Sequence, residues 1–270
     1  MHKKKMNQSK PHPVDASLYD ETYYLEACEG YAQFTATKGR VLSDRLRLVL
    51  DYLDVHPGMR VLDIGCGRGE LLIWLQQQGA EVWGIDYAYA ALRLAQQALE
   101  FGDDPAVNEH SLIAANAREL PFLNRAFDLV LMLDIVEHLH PWEFVVVCDE
   151  VVRVLKPDGR FIIHTAPNLW YYRFGYPVFR FIERLRGVRL PKNPRQRFAY
   201  HELVHVNEQS PLSLKRTLRQ HGFQAKVHLM GQSVETNTHL MAWLARCVQQ
   251  MPVLKWIFRN HIVAVARHNH

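Results

Sequence analysis

Asp134, Glu137 and His138 stand together in the run LDIVEHLH, where a D-x-x-E-H spacing gathers two carboxylates and an imidazole. On a short helix these three positions share one face. Such a trio can take a proton from a hydroxyl, because imidazole titrates near neutral pH. It can also ligate a divalent ion through oxygen and nitrogen donors. His201 and His205 follow downstream in HELVH and can join the cluster once the chain folds.

A second constellation lies in RVLDIGCGRGE, residues 60–70. An apolar strand ends in Asp63 and runs into Gly65, Gly67 and Gly69. Glycines at this spacing let a backbone turn tightly and approach a ligand closely. The helix that follows offers free N–H groups at its start. Asp86 closes the next strand, EVWGID, about 20 residues beyond the loop, where an acid can accept hydrogen bonds from both hydroxyls of a ribose.

Elements that position these residues are legible from patterning. Strands are predicted at 60–64, 81–85, 110–114, 127–133 and 159–164, with helices near 68–78, 88–101 and 143–155. This alternation indicates a parallel sheet with crossover helices. Lys156-Pro157-Asp158-Gly159 reads as a turn that starts the fifth strand. A helix near 211–221 with Ser210-Pro211 at its start, a strand near 223–229, a helix near 238–250 and a strand near 261–267 complete the chain. Helical patterning also covers roughly 19–53, and Pro57-Gly58 closes it.

The glycine loop, Asp86, Asn116-Ala117 with Leu120-Pro121-Phe122, the EHL segment and LKPDG occur in an order that resembles the class I S-adenosylmethionine-dependent methyltransferases. The resemblance is to the methyltransferase type 11/12 group and is similar to ubiquinone-pathway O-methyltransferases. It implies an α/β fold: a Rossmann-like, seven-stranded, mainly parallel sheet with helices on both faces, its last strand antiparallel, and a helical lid insertion. It also implies S-adenosylmethionine as cofactor. Asp63 would orient the amino group of the methionine part, and Gly65, Cys66, Gly67 and Gly69 would lie against that part. Asp86 would hold the ribose, Tyr87 would lie on the adenine, and Asn116 and Ala117 would line its edge. Many relatives have an acid where Asn116 stands, and its amide oxygen can accept from the adenine amine instead. Leu133 and Asp134 would close the pocket beside the transferable methyl. Cys66 also reads as a small packed residue.

The catalytic candidates are His138, Glu137 and His205. The D-x-x-E-H run resembles the E-x-x-E-H of ubiquinone-pathway O-methyltransferases and of small-RNA 2′-O-methyltransferases, which use a divalent metal. Here no metal is assigned, with Asp134, Glu137, His138 and His205 as the ligand set should one bind. No N-P-P-Y motif follows the fourth strand, which favours an oxygen acceptor over a nucleobase amine. The reading is methyl transfer to an oxygen of a small or lipid-linked acceptor. The alternatives are a metal-dependent RNA 2′-O-methyltransferase and a non-catalytic cofactor-binding module.

Composition bounds the rest. A hydrophobic content of 48% with 22% charged residues is that of a globular chain rather than a disordered one. Four scattered cysteines suit reduced thiols in a cytoplasmic protein. No apolar run approaches the roughly 20 residues that span a bilayer. The domains are predicted as a basic disordered tail over 1–14, a helical cap over 15–56, and the cofactor-binding domain over 57–270 with its lid insertion at about 169–205. Eight bases and one acid fall between Arg173 and Arg197, although the net charge of the whole chain is only +4. Val178, Phe181, Ile182 and Leu185 oppose Arg180 and Arg184 on a predicted helix from Pro177. Three readings of 170–190 follow: a lid packing its apolar face on the pocket, peripheral contact with the inner membrane face, or nucleic-acid binding, which is not adopted. Oligomeric state is not legible.

Overall fold

In the computed structural model, residues 10–100, 111–198, 200–231, 251 and 254–268 are described. Seven strands form one sheet: β1 (Arg60–Ile64), β2 (Glu81–Asp86), β3 (Leu112–Ala114), β4 (Phe127–Leu133), β5 (Leu155–Thr165), β6 (Phe223–Met230) and β7 (His261–His268). The spatial order is β3-β2-β1-β4-β5-β7-β6. Strands β1 to β5 pair in parallel, and β7 runs antiparallel between β5 and β6. This is the Rossmann-like sheet that the alternation and the resemblance imply.

The central strands are continuous apolar runs because both sheet faces are covered. Successive residues serve opposite layers. Leu129 and Leu131 pack with Leu72, Leu75 and Val49 on one face, while Val130 and Met132 pack with Phe144, Val147 and Leu214 on the other. The helices are α1 (Tyr31–Thr37), α2 (Asp44–Leu53), α3 (Glu70–Gln77), α4 (Tyr89–Glu100), α5 (Pro141–Val154), α6 (Tyr176–Leu185), α7 (His201–Val204) and α8 (Pro211–Gln220), of which α2, α3 and α4 supply the first layer and α5 and α8 the second.

Three segments differ from the sequence expectation. The helix expected over 19–53 is broken into a π-helical turn at Tyr23–Ala27, α1 and α2. Gly30 and Gly39 adopt left-handed backbone at φ 82° and 78°, and Ser43 then caps α2 through its hydroxyl. The Lys156–Gly159 turn lies within β5 as a bulge, since Phe127 pairs with Leu155 and Leu129 already with Arg160. Of the tail expected to be disordered, residues 10–14 are described, and Trp142 Nε1 donates to the Pro11 carbonyl at 3.1 Å. The helix expected at 238–250 lies outside the described residues.

Ser210 caps α8 as the sequence indicates, accepting from Ser213 N at 3.1 Å. Arg160 of β5 donates to the Leu53 and Asp54 carbonyls, which closes the C-terminus of α2 against the sheet. No helix among the described residues is long and apolar enough to cross a membrane.

Candidate functional site

The carboxyl ends of β1, β2 and β4 open into a cavity of about 1340 Å³. Ligand pockets commonly span roughly 300–1,000 Å³, so this one has room for a nucleoside-sized cofactor and an acceptor together. The three loop glycines do different work, all at positive φ. A Cβ on Gly65 would fall 2.2 Å from Ile135 Cδ1, and one on Gly69 would press on Ala95 of α4 at 3.0 Å. A Cβ on Gly67 would meet nothing nearer than Tyr24 at 3.8 Å, so bare backbone faces the cavity there. Cys66 is buried against Leu72 and the Gly84 backbone, a packing role that matches its sequence reading.

Asp86 Oδ1 accepts from Ala88 N at 2.9 Å, and Oδ2 accepts from Gly67 N at 3.2 Å. The carboxylate is thereby fixed at the cavity edge with lone pairs left over. Asp63 is buried beside it. Burial, and then the Asp86 charge, push the Asp63 carboxyl up to about 7. Burial pushes Asp86 up to about 6 against the pull of its backbone donors. A cationic ligand beside these acids would hold both ionised, and a Cβ-free backbone with a half-exposed Tyr87 ring completes a cradle that fits S-adenosylmethionine. Asn116 Oδ1 is engaged by the backbone and side chain of Arg118 at 3.0 and 3.1 Å. Its amide therefore presents a donor rather than the acceptor expected for the adenine edge. Ala117 and Leu133 line the same wall.

These two acids give a pH dependence with a definite sign. A carboxyl whose folded pKa lies above its unfolded value holds its proton more tightly when folded, so the ligand-free protein loses stability as pH rises from about 4 to 7. A cation gains the opposite way, because the ionised acids attract it. Titration calorimetry is expected to show S-adenosylmethionine affinity rising about tenfold or more from pH 5.5 to 8. A flat profile would mean that Asp63 and Asp86 do not face the bound cation.

The D-x-x-E-H residues do not share one face. Asp134 sits at positive φ, ahead of a single 3-10 turn over Val136–His138. Glu137 turns toward the end of β5, where Oε2 accepts from Thr165 Oγ1 at 2.7 Å and Oε1 from Ala166 N at 3.4 Å. Burial, and then the Asp134 charge, push its carboxyl up. His138 Nδ1 meets the Tyr19 hydroxyl at 3.0 Å, and the Val204 backbone also hydrogen-bonds its ring. His205 stacks on His201 with ring centres 4.1 Å apart and meets His138 edge-on at 5.0 Å. Burial lowers His138 to about 4 and His205, beside two further rings, to about 2.

Asp134 is an anchor instead. Arg45 of α2 forms an ion pair with it, and His164 Nδ1 lies 2.9 Å from its Oδ1. Burial opposes its charge, but these two neighbours hold the carboxyl well below the usual range. With Asp134 and Glu137 engaged in this way, Asp134, Glu137, His138 and His205 do not converge on one point. Among the described residues no group of three or more His, Cys, Asp or Glu is arranged to hold a metal ion.

Three residues at the site were not marked by sequence reasoning, and two of them carry no local signal. Arg45 and His164 read as ordinary helix and strand residues. Arg68, inside the glycine loop, is buried and donates to the Tyr24 and Glu29 carbonyls at 3.0 and 2.9 Å while pairing with Glu70. It clamps the N-terminal segment across the cleft. Only an arginine standing where the loop meets solvent in the bare motif hints at it.

Comparison with known proteins agrees with this geometry. Residues 62–163 match the family described as "Methyltransferase domain". Residues 62–163 thus form a class I S-adenosylmethionine-dependent methyltransferase domain. It is 37% identical over 123 residues to the ubiquinone biosynthesis O-methyltransferase of Leptothrix cholodnii, covering 45% of this chain and 50% of that one. It is 31% identical over 147 residues to the demethylmenaquinone methyltransferase of Oceanobacillus iheyensis, covering 52% and 60%. The chain thus spans about half to three-fifths of the length of these relatives. The fold matches geranyl diphosphate C-methyltransferase from Streptomyces coelicolor A3(2) with a TM-score of 0.56 at 19% identity, covering 95% of this chain and 89% of that one.

Proposed function

We propose that the protein transfers a methyl group from S-adenosylmethionine to an oxygen of a lipid-linked or small apolar acceptor. When bound, the cofactor supplies a methyl on a sulfonium that leaves as a neutral thioether. Catalysis then rests on holding the acceptor close to and in line with that methyl. Asp63, Asp86 and the Gly67 backbone fix the cofactor end. The observation that carries the acceptor class is the far wall of the same cavity. Tyr171, Tyr172, Phe179, Ile182 and Phe198 line it, contributed largely by α6 and its flanks. An aromatic wall of that extent excludes water from an apolar acceptor.

The other side of this insertion supports delivery from a lipid surface. Phe174, Phe181 and Leu185 are 51%, 62% and 73% exposed along one stripe. A lid that buried its apolar face on the protein would hide them. Arg173, Arg184, Arg189 and Lys192 are exposed nearby and lack carboxylate partners among the described residues. Apolar groups entering the interface and cations meeting anionic headgroups are the two ingredients of peripheral binding. Replacing Phe181 and Leu185 together by Asp is expected to weaken binding to phosphatidylglycerol-containing vesicles more than tenfold in a flotation assay. Equal flotation of the variant would remove the surface from this reading.

The acceptor itself is found by incubating the protein, labelled S-adenosylmethionine and a cell extract, then separating lipid, glycan, RNA and small molecules, with and without EDTA. Label in lipid or small molecules, absent with an Asp86→Ala variant, supports the proposal. Label in RNA that EDTA abolishes would replace it with a metal-dependent RNA methyltransferase.

A further inference from the structure

Behind the acceptor side of the cavity one carboxylate and two imidazoles form a hydrogen-bonded line. Asp134 Oδ1 meets His164 Nδ1 at 2.9 Å, and His164 Nε2 meets His261 Nδ1 at 3.0 Å. The carboxylate fixes the protons along it. Ionised Asp134 can only accept, so the hydrogen sits on His164 Nδ1, and a neutral His164 then has a lone pair at Nε2. His261 Nδ1 must therefore be the donor, which leaves its Nε2 as a lone pair. That nitrogen is buried and has no hydrogen-bond partner. His261 is 2% exposed and borders the cavity, and with Nδ1 engaged Nε2 is its remaining polar side-chain atom.

The topology explains the placement. Because β7 is antiparallel, its first residue lies at the carboxyl edge of the parallel strands, with Ile262 paired to Thr165 at the end of β5. That edge also presents Gly65 and Asp134 to the cavity. His138 is less available here, since both the Tyr19 hydroxyl and the Val204 backbone engage its ring.

We propose that His261 is the general base that takes the proton from the acceptor hydroxyl, with His164 and Asp134 as positioning residues that set its tautomer. This rests on the methyl-transfer reading above. The acceptor O–H bond breaks and its proton goes to Nε2; the oxygen pair forms the bond to the methyl carbon; the carbon–sulfur bond breaks and its pair stays on sulfur. The new imidazolium donates through Nδ1 to a ring that is itself backed by Asp134, and solvent later takes the proton. Burial and the His164 ring push His261 down to about 3, so in the empty protein the ring is a weak base, neutral at physiological pH.

The first test needs no acceptor. Protein labelled with ¹⁵N-histidine, assigned with His261→Gln, is expected to show His261 as a neutral Nδ1–H tautomer between about pH 6 and 8. Asp134→Asn is expected to abolish that single tautomer. An Nε2–H tautomer or an imidazolium in the wild type overturns the proposal. In the second test, His261→Gln is expected to lower methyl transfer into cell lipid about 100-fold or more, with S-adenosylmethionine affinity within threefold by calorimetry. His164→Gln should lower transfer less and shift its pH profile. Transfer by His261→Gln within threefold of wild type overturns the role. Absence of transfer by the wild type with the expected tautomer in place would sink the methyl-transfer reading, and the catalytic role with it, while the proton arrangement stands.

Discussion

Asp86→Ala is expected to lower S-adenosylmethionine affinity by about 100-fold or more while leaving the fold intact. A hydrogen bond to an ionised acceptor contributes roughly 1.5–3 kcal/mol, and the two hydroxyls of a ribose would make two of them. The side chain also orders the Gly67 and Ala88 amides that flank the cradle. Stability moves the other way. The folded protein holds this carboxyl in a site that disfavours its charge, so its removal relieves a cost in the empty protein. Calorimetric titration beside a thermal melt separates the two effects. An affinity within tenfold of wild type, with an unchanged melting temperature, would mean that Asp86 does not hold the ribose. Asp86→Asn should fall between, since an amide keeps one acceptor oxygen but loses the charge.

Arg45→Ala is the second large effect, and it falls on stability. Arg45 and Asp134 retain 21% and 15% side-chain exposure, and among the described residues no other Arg or Lys pairs with Asp134. Removing one member of a buried pair typically costs roughly 3–5 kcal/mol; residual exposure here trims that to about 2–4 kcal/mol. The acid limb of the stability curve should change with it. Asp134 has a folded pKa below its unfolded value, so its contribution is present above about pH 4 and is lost as pH falls further. Without Arg45 that contribution shrinks, and stability at pH 7 and pH 3 should lie closer together than in the wild type. Urea denaturation at the two pH values measures this. An unchanged pH difference would show that the pair is not coupled to folding.

Local patterns made much of this protein legible. The glycine loop, Asp86 and the strand order are encoded within short windows, where backbone chirality and period-2 burial leave few options. The N-terminal helix was misread for an equally local reason, since Gly30 and Gly39 break a pattern that its apolar spacing continues. Arg45, Asp134, His164 and His261 are different. They come from α2, the end of β4, β5 and β7, and only sheet order brings them into one line. No spacing in the sequence marks that assembly. The amphipathic pattern of α6 was visible, but the way its apolar stripe turns was not. That is set by Gly175 packed on the Ile257 carbonyl and by Tyr176, which is buried and donates to Pro191 O. Both contacts are tertiary.

Arg68 has a consequence for how this site tolerates change. The arginine holds the N-terminal segment by the main-chain oxygens of Tyr24 and Glu29. A carbonyl is the same whatever side chain its residue carries. The latch itself therefore does not depend on the side chains at 24 and 29, whereas Arg68 cannot change, because no other side chain forks to two carbonyls and a carboxylate at once. The rim of the cleft is free to adapt to a new acceptor while the latch that closes it stays the same.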